Sequence, residues 1–186
     1  MIEIHNYRSA WAEEYSTQAS ALHAALGSLA VRIDHIGSTS VPGLAAKDVI
    51  DIQITVEELS STIIAKLCSA GFVQHAQVGQ DHVPPGMSED GNQWSKLLFL
   101  ERPGDRRCNI HVRQQGMANQ RYPLLFRDYL RAHPATAAAY AELKRRLAVS
   151  LADPKQYPDV KDPAVDLIYL AAEDWAGRTN WHPAGS

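Results

Sequence analysis

The residues of this 186-residue chain that could meet an anion or a metal ion fall in two short stretches. In the first, an alternating run from Val31 to Ile36 ends at Gly37-Ser38-Thr39-Ser40. Lys47 follows, and then Asp51 and Gln53 within a second alternating run from Val49 to Val56. A glycine–serine turn leaving a strand offers backbone N–H groups to an anion. A carboxylate on the next strand offers an oxygen ligand to a hard cation. In the second stretch, Arg107, Asn109, His111 and Arg113 alternate with Cys108, Ile110 and Val112, so the polar residues share one side of a strand. If the strands are neighbours with matching faces, Asp51 and Gln53 join that stripe in one polar cleft with Ser38 at its rim. Each residue also has a purely structural role open to it. Gly37-Ser38 suits a tight turn, and Asp51 an ion pair with Arg107 or Arg113. His111 suits a hydrogen-bonded imidazole that orders the sheet, and Lys47 the surface of a helix.

The elements that would position these residues follow from periodicity. Ile50, Ile52, Ile54 and Val56 share one face of the second run, the pattern of a strand buried on that side. Tyr7, Trp11, Tyr15, Ala19, Leu22 and Leu26 recur at helical spacing and predict a first helix closing at Gly27, with Trp11 and Tyr15 as packing residues. Leu44-Ala45-Ala46 reads as a turn of helix. Thr55-x-x-Glu58 has capping-box spacing before a helix bearing Leu59, Ile63, Leu67 and Ala70, stopped by Gly71. Residues 76–93, with Gly79, Pro84-Pro85-Gly86 and Gly91, predict a long loop, open to being a lid or a solvated surface segment, with Asp81 and His82 at its start as candidates for a site. Trp94 to Glu101 and Arg107 to Arg113 predict a hairpin. Helices are expected on Tyr122, Leu125, Phe126, Tyr129 and Leu130, and again on Tyr140, Leu143, Lys144 and Leu147 after Pro134. A last helix is expected from Asp162-Pro163 to Gly177, with a loosely packed tail around Trp181.

Composition narrows the classes. The length suits one domain over residues 1–186 with a substantial core. A formal net charge of −3 gives no global basic field, so broad nucleic-acid binding is not expected. Cys68 and Cys108 form no C-x-x-C pair, and no basic-then-apolar leader opens the chain, which together predict a cytoplasmic protein. No apolar run approaches membrane-spanning length, so no membrane partner is expected. There is no G-x-x-x-x-G-K-[ST], G-x-S-x-G or H-E-x-x-H.

The run His35-Ile36-Gly37-Ser38-Thr39-Ser40-Val41-Pro42-Gly43-Leu44-Ala45-Ala46-Lys47, followed by Ile50-Asp51-Ile52, resembles the signature of the GrpB family. Asn109-Ile110-His111-Val112, the Leu124–Arg131 stretch and Tyr140 through Leu147 extend the resemblance along nearly the whole chain. The same module resembles a domain fused behind dephospho-CoA kinase in some bacteria. The resemblance implies an α/β (α+β) nucleotidyltransferase-like fold: a mixed sheet, helices packed on one face and a polar cleft on the other. It implies binding of a nucleotide or other phosphate-bearing small molecule, with metal-dependent nucleotidyl transfer as the associated chemistry. In that superfamily a Gly-Ser turn holds phosphates, while an Asp-x-Asp strand and a third acid hold metal. Here Asp51 keeps the first acid position, Gln53 stands at the second and His111 at the third. The implied catalytic set is therefore Asp51, Gln53 and His111, with Asp51 and His111 as ligands to Mg²⁺ or Mn²⁺. Gly37, Ser38, Thr39, Ser40, Lys47, Asn109, Arg107 and Arg113 are the implied phosphate or nucleotide contacts. The competing expectation is a catalytically inert accessory module that supports a CoA-pathway kinase partner.

Overall fold

The structure is a computed structural model, and it describes residues 2–183. Five strands form one mixed sheet: β1 (Arg32–Ile36), β2 (Ile50–Val56), β3 (Val73–Gln74), β4 (Lys96–Leu100) and β5 (Cys108–Gln114), in the order β1-β2-β5-β4-β3. Only the β2–β5 pair is parallel, and it aligns Asp51 with Asn109, Gln53 with His111 and Thr55 with Arg113. The two polar stripes expected from the alternation therefore do lie side by side. On β1, Arg32, Asp34 and Ile36 stand opposite Thr55, Gln53 and Asp51, so Arg32 and Asp34 extend the polar face by one strand.

The other face of the sheet carries the larger core. Helices α1 (Ala10–Leu26) and α2 (Ser61–Ser69) cover it. Trp11, Leu22, Leu26, Ile63 and Leu67 are buried there against Ile50, Ile52, Ile54, Ile110, Val112 and Phe99. Tyr15 donates its hydroxyl to the Ile33 carbonyl at 2.9 Å and stacks on His35, which ties α1 to β1. α2 begins at Ser61 rather than at a Thr55–Glu58 capping box. The reason is that β2 runs on through Val56, leaving Thr55 buried on the polar face of the sheet.

Three helices, α3 (Ala118–Ala132), α4 (Pro134–Ser150) and α5 (Tyr157–Thr179), pack together around Leu125, Tyr129, Leu130, Tyr140, Tyr169 and Ala172. They stand across from the polar face and form the far wall of the cleft. The connection from β1 to β2 joins this cluster through Val41, Leu44 and Ala45. It is not helical at Leu44-Ala45-Ala46. Pro42 and Gly43, the latter at φ +80°, turn the chain there, and Ala46 instead pairs with His5 in an isolated bridge. α5 starts five residues before the expected Asp162-Pro163 pair, with Pro158 in its first turn and Pro163 inside it. That earlier start places Tyr157 and Lys161 on helix, facing the cleft. The helix ends on Asn180, which adopts the left-handed conformation at φ 51°. Trp181 lies beside the Arg121 guanidinium and packs on the helical cluster.

Among the described residues no helix is long and apolar enough to cross a membrane.

Candidate anion-binding site

A cavity of about 250 Å³ opens between the polar face and the helical wall. Its sheet side is built from Ser38 and Thr39 in the turn after β1, Asp51 on β2 and Asn109 on β5. Its helical side is built from Tyr140 and Lys144 on α4 and from Tyr157 and Lys161 on α5, with Lys47 and Arg107 at the mouth.

Gly37 makes the sheet side feasible. It holds φ +68°, where an L side chain is strained, and a Cβ there would lie 2.3 Å from Asp51 Oδ2. The glycine thus lets the carboxylate of β2 come against the turn backbone. The turn is fixed from within by Ser40, whose hydroxyl donates to the Gly37 carbonyl at 2.6 Å, and from outside by Arg131, which donates to the Ser40 carbonyl. Thr39 Oγ1 is engaged at 2.9 Å with His35 Nε2. Ser38 is the turn residue whose hydroxyl faces the helical wall, where Lys144 Nζ donates to it at 2.9 Å.

The charges are unequal. Among the described residues Asp51 is the only carboxylate on the wall, facing four cationic side chains: Lys47, Arg107, Lys144 and Lys161. Asn109 Nδ2 donates to Asp51 Oδ1 at 2.8 Å, and burial raises the Asp51 carboxyl above its ordinary range. Lys144 is 3% exposed and, among the described residues, has no carboxylate in hydrogen-bond reach. Its amine donates to Ser38 Oγ and to the Ala45 carbonyl and lies over the Tyr140 ring. Burial, helped by the Lys161 and Arg145 charges and opposed by Asp51, brings its pKa down to about 7. Lys47 is likewise lowered by burial and by Lys161 and Arg107, and its Nζ stands 4.0 Å from the centre of the Tyr157 ring. Two amines lowered by burial and by neighbouring cations make a site that gains when an anion enters.

The remaining expected site residues lie elsewhere on the same face. Gln53, Arg113 and His111 do not line this cavity. Gln53 is fully buried, donates to the Gln120 carbonyl at 2.9 Å and accepts from Arg113 Nη1 at 2.8 Å. Arg113 grips Asp81 through Nε at 2.8 Å and Nη2 at 2.9 Å, and Lys96 reaches the same carboxylate at 2.6 Å. His111 Nδ1 faces Lys96 Nζ at 3.5 Å and Arg113 Nη2 at 3.3 Å. Burial and those two cations hold its imidazole well below its usual pKa. The expected metal pair of Asp51 and His111 is thus divided between the open cavity and this closed network. Gly37 and Ser40 shape the turn without lining the cavity.

The donor set does not fit a metal held by the protein. Mg²⁺ wants several oxygen ligands, Asp51 alone supplies a carboxylate, and Gln53 is turned into Arg113 and Gln120. Among the described residues no group of three or more His, Cys, Asp or Glu side chains is placed to hold a metal ion.

Tyr140, Lys144, Tyr157 and Lys161 belong to the cavity and were not among the expected site residues. One signal existed for Lys144: it shares the inward stripe of α4 with Tyr140, where a lysine is out of place on an apolar face.

Known proteins resemble this chain along most of its length. The family model described as "GrpB protein" matches residues 1–170. A dephospho-CoA kinase of Mycolicibacterium paratuberculosis is 35% identical over 93% of this chain, which spans 46% of that relative's length. The UPF0157 protein SCO7215 of Streptomyces coelicolor is 34% identical over 90% of this chain and 82% of its own length. The crystal structure of the conserved protein GrpB from Enterococcus faecalis superposes with a TM-score of 0.72 at 29% identity, covering 93% of this chain and 99% of that one. The Cid1 poly(U) polymerase aligns more loosely, with a TM-score of 0.46 at 12% identity over 76% of this chain and 42% of that one. The resemblance read from His35–Lys47 and Ile50–Ile52 thus extends to family model, sequence and backbone alike, and the chain belongs to the GrpB family.

Proposed function

We propose that the cavity binds a phosphate-bearing small molecule, a nucleotide or a related compound, and holds it chiefly by charge. The observation that carries this reading is the imbalance of one carboxylate, Asp51, against Lys47, Arg107, Lys144 and Lys161 around a Gly-Ser turn. In this reading Ser38 and the turn backbone meet the phosphate oxygens, Lys144 neutralises them from the helical wall, and Lys47 and Arg107 close the mouth. Asp51 limits where the anion can settle and holds Asn109 oriented towards the cavity. Nucleotidyl transfer through a protein-held metal pair is the reading that the donor set supports least. Binding is therefore expected to persist without Mg²⁺ or Mn²⁺.

The test is a thermal-shift and calorimetric titration with ATP, with and without Mg²⁺ or Mn²⁺. A ligand at a hundred times its dissociation constant stabilises a fold by about 2.7 kcal/mol. The expected result is a shift in metal-free buffer that is lost in Lys144→Met and weakened in Ser38→Ala. A shift that appears only with metal and collapses in Asp51→Asn would restore the metal-dependent reading.

A second reading is favoured by the same shortage of carboxylates and by the name of the mycobacterial relative. Here the chain is an accessory module associated with a dephospho-CoA kinase, and the ligand regulates or tethers rather than reacts. Co-purification with such a kinase, in the presence and absence of the bound nucleotide, checks it.

A further inference from the structure

A second cavity, of about 200 Å³, adjoins the first, and Lys161 lines both. Its walls are of a different kind. Trp94, Tyr122, Pro123 and Val165 supply apolar and aromatic surface, and the carboxylates of Asp162 and Asp166 stand on the α5 side. Trp94 is buried and pinned by its indole N–H to the Ser88 carbonyl at 2.7 Å, and the Tyr122 ring packs tilted against Tyr169 with centroids 4.2 Å apart, so the aromatic wall is preformed. The deep end is closed by the Arg113–Asp81 pair, whose donors and acceptors already serve one another.

The two cavities thus differ in charge. In the second, among the described residues, Asp166 receives only His82 Nε2, 3.1 Å from each oxygen, and Asp162 has only Lys161 at 3.6 Å. A carboxylate has about four lone-pair sites, so both retain acceptor capacity that a ligand N–H could fill. The same two charges repel a phosphate. The distance between the cavities follows from the sheet: Asn109 lines the first and Arg113 the second, four residues apart on β5, or roughly 13 Å at the rise of a strand.

We propose that this second cavity holds the ring of the same ligand whose phosphates occupy the first, and that it selects a heterocycle carrying an exocyclic amino group. The inference rests on the anion-binding reading and names the ligand class more closely: an amino-bearing nucleotide whose sugar and phosphate chain spans the gap past Lys161. The flat ring lies against Trp94 and Tyr122, and the amino group donates to Asp166. The cation excess of the first compartment and the free carboxylate acceptors of the second fix the ligand's direction, since the phosphate end is held better in the first.

Calorimetric titration of the whole chain with three probes tests this: inorganic tripolyphosphate, ATP, and the triphosphate of purine riboside, which matches ATP but lacks the 6-amino group. ATP is expected to bind at least tenfold tighter than tripolyphosphate, with the purine riboside compound between them. Asp166→Asn is expected to weaken ATP severalfold and leave tripolyphosphate unchanged, as is Val165→Trp, which fills the cavity. The ligand series needs no mutant, so a variant that fails to fold does not spoil the test. Equal affinity for ATP and tripolyphosphate overturns the second cavity and leaves the anion site standing. Equal affinity for ATP and the purine riboside triphosphate overturns the amino selection. Binding of none of the three removes the anion site and this inference together.

Discussion

The polar face of the sheet contains two neighbourhoods, one register step apart, with opposite characters. Around Asp51 and Asn109 it is open, and cations outnumber carboxylates by four to one. Around Gln53, His111 and Arg113 it is closed, and Asp81 is gripped by Arg113, Lys96 and Asn119. Both neighbourhoods are made by the same two strands and the same alternation of side chains. What separates them is the covering layer. The start of α3 comes down on Gln53 through the Gln120 carbonyl, while α4 and α5 stand back from Asp51 and present lysines. Closure turned one half into structure, and the gap left the other half with charge that only a ligand can balance.

The contrast predicts where a substitution harms the fold and where it harms binding. The largest effect is expected from Asp81→Ala, which strands Arg113 and Lys96, each under a tenth exposed, without their carboxylate. Removing one partner of a buried ion pair costs about 3–5 kcal/mol, measurable in a urea melt. The arginine and lysine neighbours hold the Asp81 carboxyl far below its usual range. Its contribution is thus complete above the ordinary carboxylate pKa of 3.8 and fades as pH falls below that value. The wild-type melt should lose stability on acidification more steeply than Asp81→Asn does.

Next comes the apolar side of β2. Ile52 is fully buried between the sheet and α1, and Ile52→Ala should cost about 2–5 kcal/mol. Asp51→Asn, one residue away on the cavity side, should cost less than about 1 kcal/mol because the amide can still pair with Asn109. If the two melts came out in reverse order, Asp51 would be part of the scaffold and the open half would be as structural as the closed one. Gly37→Ala should fall between them, at about 1–3 kcal/mol, from left-handed backbone strain and from the collision with Asp51. The double variant Gly37→Ala/Asp51→Gly should recover the collision part and leave the backbone part.

The sequence showed the sheet well and its covering poorly. Alternation over Ile50–Val56 and Cys108–Val112 assigns every side chain to a face, because a strand has only two, and the parallel register then brings Asp51 to Asn109. The Gly-Ser turn was readable for a similar local reason, since a glycine followed by hydroxyl residues marks a strand exit. Which half of the polar face would be closed was not readable. It depends on Asp81, from a long loop, meeting Arg113 across 32 positions, and on Gln53 meeting Gln120 across 67. The lysines of the helical wall were hidden for the same reason. Lys161 faces the cavity because α5 begins at Tyr157, and the Asp162-Pro163 pair pointed to a later start. Lys144 left one clue, a charged residue within an apolar stripe, and that clue gains its meaning only when Ser38 is found 2.9 Å away.

Lys144 also supplies the most discriminating test of the open half. Its ordinary pKa is 10.5 and in the folded chain it is near 7, so between those values the unfolded chain carries one proton more than the folded one. Stability from this group therefore rises as pH increases through that window, by at most about 1.4 kcal/mol per pH unit, and is flat below pH 7. An entering phosphate reverses the preference, since it favours the charged amine. Phosphate affinity should thus fall as pH rises above 7, by up to tenfold per unit, and binding at pH 8 should draw a proton from buffer. Calorimetry in two buffers of different ionisation enthalpy measures that uptake directly. Lys144→Met should flatten the stability slope, abolish the proton uptake and keep the fold, because methionine fills the same channel without a charge to desolvate. If proton uptake survives in Lys144→Met, the titrating group lies elsewhere and the buried amine is a strut between the Ser38 turn and α4.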